Sequence, residues 1–119
     1  HRKLFSSSGA SLFRASWIGD YPDPENFLSL FYSKNKSPFG PNYTHFHNST
    51  FDNLYEKSFN SQTEDERCRL FFEMEKLLLE ESVVVPLYYD HVVRLVSNNI
   101  EGMFINGMNT LDLKKVQKK

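Results

Sequence analysis

The clearest pattern of apolar and polar positions lies in residues 63–80. Leu70, Phe71, Met74, Leu77 and Leu78 recur at helical spacing, while Glu64, Asp65, Glu73 and Glu80 fall on the opposite side. Thr63-x-x-Glu66 ahead of them has the form of a capping box, so the spacing predicts a long amphipathic helix. Cys68 lies within it and is expected as a small apolar core residue. A second, shorter helix is expected behind a Thr50 cap, with Phe51, Leu54, Tyr55 and Phe59 on one side. A third is expected over residues 24–32, where Phe27, Leu28, Leu30 and Phe31 form a broad apolar side. Asp23 would be its N-cap and Pro24 its first helical residue. Glu25 then complements the helix dipole.

Elsewhere the period shortens to two. In residues 12–18, Phe13, Ala15 and Trp17 alternate with Arg14 and Ser16, which predicts a short strand. Residues 83–89 and 92–97 are rich in β-branched and aromatic side chains and read as two strands, with Pro86 marking an edge or a beginning. Asp90 and His91 fit a tight turn between them, or lie in one long bent strand. Residues 103–105 suggest a last short strand. Residues 33–49, with Pro38, Gly40 and Pro41, read as a long loop. The fold class is therefore α/β.

Composition narrows the function. The chain has 119 residues, enough for one modest core, and its 15% aromatic content argues against disorder. A formal net charge of −1 gives no reason to expect nucleic acid or an anionic membrane as partner, and the terminal lysines read as a solvated tail. No apolar run reaches the ~18 residues of a membrane span. The chain opens at His1 with a polar Ser6-Ser7-Ser8-Gly9 stretch, so a secretory leader is expected upstream of it. One cysteine permits no internal disulfide. No Ser/His/Asp set, phosphate loop or carboxylate pair stands out, so no enzyme activity and no cofactor are expected.

The chemistry concentrates in residues 17–24, Trp-Ile-Gly-Asp-Tyr-Pro-Asp-Pro. Pro22 and Pro24 end any ladder. Asp20 would stand just beyond a strand end, where open α/β sheets place ligand groups, although aspartate is also an ordinary turn residue. The series Trp17-x-x-Asp20-Tyr21-x-Asp23-Pro24-x-x-Phe27-Leu28 resembles the C-terminal region of the family 5 solute-binding proteins, the oligopeptide- and dipeptide-binding components of ABC importers. Gly40, Asn42, Phe46 and Asn48, then Phe51-Asp52-x-Leu54, Glu66-Arg67, Met74-Glu75-x-Leu77-Leu78 and Val85-Pro86-Leu87-Tyr88-Tyr89 continue the resemblance in order. It covers residues 12–102.

The resemblance implies a two-lobed periplasmic-binding-protein fold of type II. Residues 1–82 would be part of the second lobe, and residues 83–119 would return to the first lobe across a hinge near residues 79–84. It implies an extracytoplasmic receptor, periplasmic or on the cell surface, that hands peptides to an ABC permease. It would be a monomer that meets the membrane only through a lipid anchor or the permease. Asp20 matches the aspartate that receives the peptide's N-terminal ammonium. Trp17 either lines the cleft or sits beneath the sheet, and backbone groups of Ser16 and Ile18 would pair with the peptide. Arg14 matches an arginine near the ligand carboxylate in some relatives, or is a solvated surface arginine. Tyr88 and Asp90 would share one face of their strand, and some relatives carry a tyrosine where Asp90 stands. The alternatives are another solute on the same fold (nickel, a sugar or an opine-like molecule) or a ligand-sensing domain of a transcriptional regulator. His45 and His47 make a His-x-His pair without a Cys, Asp or Glu at ligand spacing, so no metal is expected. Asn-x-Ser/Thr sequons at Asn35, Asn42 and Asn48 read as chance in a polar loop.

Overall fold

Helix boundaries in this chain are set by side chains that answer unpaired backbone groups. The structure is a computed structural model that describes residues 11–89, 91–107 and 110–119. Three α-helices run in order among the described residues: α1 (Glu25–Leu28), α2 (Ser49–Ser58) and α3 (Glu64–Glu80). α3 begins as the capping box predicts, with the Thr63 hydroxyl accepting from Glu66 N–H at 3.2 Å. The Glu66 carboxylate reaches back to Gln62 N–H at 3.1 Å, one residue earlier than the usual box partner. α2 is capped by Asn48 and not by Thr50. The Asn48 side-chain oxygen accepts from Thr50 N–H at 2.8 Å and Phe51 N–H at 3.1 Å. Asparagine caps at least as well as threonine, so the helix starts two residues earlier than expected.

α1 is shorter than the apolar pattern suggests. Pro24 occupies the N-cap position, and Asp23 Oδ1 accepts from Glu25 N–H at 2.9 Å. After Leu28 the backbone tightens into 3-10 turns at Ser29–Phe31 and Ser33–Asn35. Ser29 donates to the carbonyl of Asn26 at 2.9 Å, and Asn35 donates to the carbonyl of Ser29 at 2.9 Å. These bonds satisfy carbonyls that another helical turn would have used.

α2 and α3 form an antiparallel hairpin, tied at its open end by Asn48 Nδ2 donating to Glu81 Oε1 at 2.6 Å. The core lies between them and α1: Leu28, Phe51, Tyr55, Phe71, Met74 and Leu78, with Phe51 and Met74 fully buried. Burial of such side chains contributes about 1.5–3 kcal/mol each. Cys68 is exposed, contrary to expectation. Arg67, Phe71, Met74 and Leu78 turn toward the core, and Cys68 sits about 100° round the helix from Arg67, on the side of the exposed Phe72.

Residues 33–49 are held by one fully buried amide. Asn42 donates to the carbonyls of Tyr32 at 3.1 Å and Phe46 at 3.0 Å, and its side-chain oxygen accepts from the Thr44 hydroxyl at 2.8 Å. Its backbone N–H bonds the Asn35 carbonyl at 2.8 Å. Gly40 passes so close that a Cβ there would lie 2.4 Å from the same Asn35 carbonyl oxygen.

The strands expected at residues 12–18, 83–89, 92–97 and 103–105 do not form ladders. β1 (Ile100–Glu101) pairs instead with β2 (Gln117–Lys118), antiparallel, with Ile100 opposite Lys118. A strand exists only through a partner's ladder of hydrogen bonds, and the described residues supply no such partner to those segments. Val83 and Val84 still pack on the core, whereas Leu87, Tyr88 and Leu95 are exposed. The radius of gyration of 18.3 Å exceeds the roughly 14 Å of a compact chain this long.

The end of α3 is firmly built. Val83 N–H bonds the carbonyl of Leu78 at 3.0 Å and Ser82 N–H that of Leu79 at 3.1 Å, with Ser82 at φ 55°. That is a Schellman stop, with Val83 packed against the core.

Candidate functional site

The stretch at residues 17–24 is not regular structure, yet three helices fix it. Asn26, in the first turn of α1 and 3% exposed, accepts from the Trp17 indole N–H at 2.6 Å and from the backbone N–H of Asp20 at 3.2 Å, both on Oδ1. The Tyr21 hydroxyl donates to Glu25 Oε2, and the Tyr55 hydroxyl, from α2, donates to Glu25 Oε1. Asp23 Oδ2 meets Arg67 Nη2, from α3, at 2.8 Å. Glu25 is thus a buried acceptor for two phenols, and not only the dipole partner expected of it.

These contacts move proton affinities. The Glu25 hydrogen bond and then burial push the Tyr21 phenol up. Burial and then Glu25 push Tyr55 well above the usual phenol range. Burial raises the Asp23 carboxyl, but the Glu25 backbone N–H and the Arg67 guanidinium outweigh it and hold the group below the ordinary carboxylate value.

Asp20 itself is exposed at the tip of this clamped loop. Trp17 is 38% exposed, so it lies neither fully open nor beneath a sheet. Ser16 and Ile18 are exposed, and no hydrogen bond of their backbone groups is present among the described residues. Arg14 and Tyr88 come together across 74 positions: the guanidinium donates to the phenol oxygen and lies 5.7 Å from the ring centre. Asp90 lies outside the described residues. His45 and His47 are not joined by a third donor, since no group of three or more His, Cys, Asp or Glu side chains among the described residues could hold a metal. The side chains of Asn35, Asn42 and Asn48 are all engaged in the bonds that shape their loop.

Sequence reasoning missed Asn26 and the inward role of Glu25. A polar pair in the first turn of a short helix reads as solvated, and only packing reveals that both are enclosed.

No family model matches the chain. Among curated proteins it is 30% identical over 105 residues to the dipeptide-binding protein DppE of Bacillus subtilis, covering 88% of this chain and 19% of that protein. It is 32% identical over 94 residues to the oligopeptide-binding protein OppA of the same organism, covering 79% of this chain and 17% of that protein. The periplasmic murein peptide-binding protein MppA of Escherichia coli is 30% identical over 95 residues, 80% of this chain and 17% of that protein. Over most of its length the chain is thus similar to dipeptide-, oligopeptide- and murein peptide-binding proteins.

It spans about a fifth of the length of the curated relatives it matches. The 105-residue match to one solute-binding protein takes in residues 17–80 whichever end it omits. The clamped loop and the helices that hold it therefore lie within the region shared with a solute-binding protein.

Proposed function

We propose that this chain is the portion of an extracytoplasmic solute-binding protein that receives the amino end of a peptide, for delivery to an ABC import permease. The observation that carries the reading is the similarity of most of the chain to proteins named for binding dipeptides, oligopeptides and murein peptides. Capture, and no chemical reaction, is the activity. In a two-lobed architecture, residues 1–82 would belong to the second lobe and residues 83–119 would cross to the first. The exposed apolar segment around Leu87, Tyr88 and Leu95 fits a strand whose partners lie beyond this chain.

Asp20 is the counter-ion in this scheme. An ammonium group that enters a closed cleft loses water and must be compensated, and a carboxylate does so through a charge-assisted hydrogen bond. The exposed setting of Asp20 leaves its carboxylate accessible. The opposing wall would come from the remainder of the protein, and closure would lower the dielectric in which the pair acts. The unpaired backbone of Ser16 and Ile18 supports addition of an extended peptide beside Trp17. Arg14 and Tyr88 would lie farther along it, near the ligand's carboxylate end.

Calorimetry on the full-length protein tests the reading. Asp20→Ala should weaken trialanine binding at least tenfold, as expected when an interaction of about 2–5 kcal/mol with a buried charge is lost. N-acetylation of the peptide should have a similar effect. Unchanged affinity in both experiments would remove Asp20 from the site and with it the peptide assignment.

A further inference from the structure

The geometry points to Asn26 as a positioning residue that presets the amine-binding loop; this rests on the peptide-binding reading of Asp20. One side-chain oxygen serves two donors, the Trp17 indole N–H at 2.6 Å and the Asp20 backbone N–H at 3.2 Å. Indole and backbone N–H groups only donate, so the Asn26 amide can face them only with its oxygen. Its orientation is dictated by chemistry, and the amide is 3% exposed, so water cannot take its place at low cost. The backbone of Asn26 is anchored as well. Its N–H bonds the Asp23 carbonyl at 3.1 Å, and its carbonyl accepts from Ser29 Oγ at 2.9 Å.

The consequence is mechanical. Trp17 and Asp20, three residues apart, are drawn to a single point on α1, and the intervening Ile18 and Gly19 must arch over it. Gly19 lies close beneath Tyr21 and Phe27, with 3.4 Å from a Cβ position there to the Tyr21 carbonyl oxygen. The Asp20 carboxylate, which no hydrogen bond holds among the described residues, thereby stands on a backbone that cannot swing freely. Without the Asn26 oxygen, the loop would have to be ordered anew in each binding event, and the affinity would fall by the fraction of time it spends in the competent shape.

Asn26→Leu keeps the volume and removes the acceptor. Asn26→Asp keeps an oxygen in the same place. In the full-length protein labelled with 15N-tryptophan, and with the Trp17 indole signal assigned through Trp17→Phe, the Leu variant should move that signal upfield and speed its exchange with solvent. The Asp variant should leave it within the hydrogen-bonded range. By calorimetry with trialanine, Asn26→Leu should weaken binding about tenfold, while Asn26→Asp stays within about threefold of the parent. In the Asp20→Ala background, Asn26→Leu should cost less than threefold more, because its effect passes through Asp20; a merely structural role would give additive losses. If Asn26→Leu does not fold, Asn26→Ala carries the same measurements. An unmoved indole signal, or an Asn26→Leu protein that binds trialanine normally while Asp20→Ala does not, overturns the positioning role and leaves the peptide reading standing. Normal binding by Asp20→Ala itself overturns both.

Discussion

Asp23 and Arg67 lie 44 positions apart and meet at 2.8 Å, joining the loop ahead of α1 to the first turns of α3. Both side chains are mostly covered, and the Arg67 guanidinium also sits 4.8 Å from the Phe71 ring centre. The folded-state affinity of Asp23 for a proton is depressed from its ordinary value of 3.8. An unfolded aspartate binds protons more readily, so the contribution of this pair is present above about pH 4 and fades as the pH falls through the folded-state value. Asp23→Asn should therefore lower stability by about 1–2 kcal/mol at pH 7, and much less at pH 2. Urea denaturation at both pH values checks this; equal losses at the two would detach the effect from ionisation.

Glu25 receives the hydroxyls of Tyr21 and Tyr55 while 7% exposed. Glu25→Ala strands two phenols, one of them buried, and should cost about 2–4 kcal/mol in thermal or urea unfolding. Tyr55 also gives an alkaline signature. Its phenol is held neutral in the folded chain, above the ordinary value of 10.0, by burial and by Glu25. The unfolded chain releases that proton first, so stability should decline as the pH rises beyond 10. Tyr55→Phe should flatten that decline, and an unaltered alkaline limb would contradict the assignment.

Ser82 closes α3 at φ 55°, in the left-handed region where glycine is at ease and a Cβ is strained. Its N–H and that of Val83 complete the Schellman bonds. Ser82→Gly keeps those bonds and removes the strain, so it should raise stability by about 0.5–1 kcal/mol, read as a higher denaturation midpoint. Ser82→Val should act in the opposite direction, because β-branching worsens the crowding.

The helical part of this molecule could be read along the chain. In α3, the stripe from Leu70 to Leu78 and the Thr63 cap are local, since a helix pairs with itself and its apolar side needs only some surface to cover. The same stripe could not fix its own phase, and Cys68 fell on the exposed side. Asn48 in place of Thr50 is a contest between two good caps two residues apart, which the loop held by Asn42 decides. The β pattern of residues 83–97 is equally plain, but a ladder depends on what lies beside it, which no local period encodes.

Taken alone, the order of residues determined the three helices, the capping of α3 and the ordered motifs that align this chain with peptide-binding proteins. Each depends on neighbours within a few positions or on residue identity. Tertiary structure alone decided that Asn26 gathers Trp17 and Asp20, that Glu25 turns inward between two tyrosines and that Asp23 finds Arg67. The physical reason is burial. A polar side chain enclosed by packing must find its partner there, and which partner arrives depends on how the helices come together.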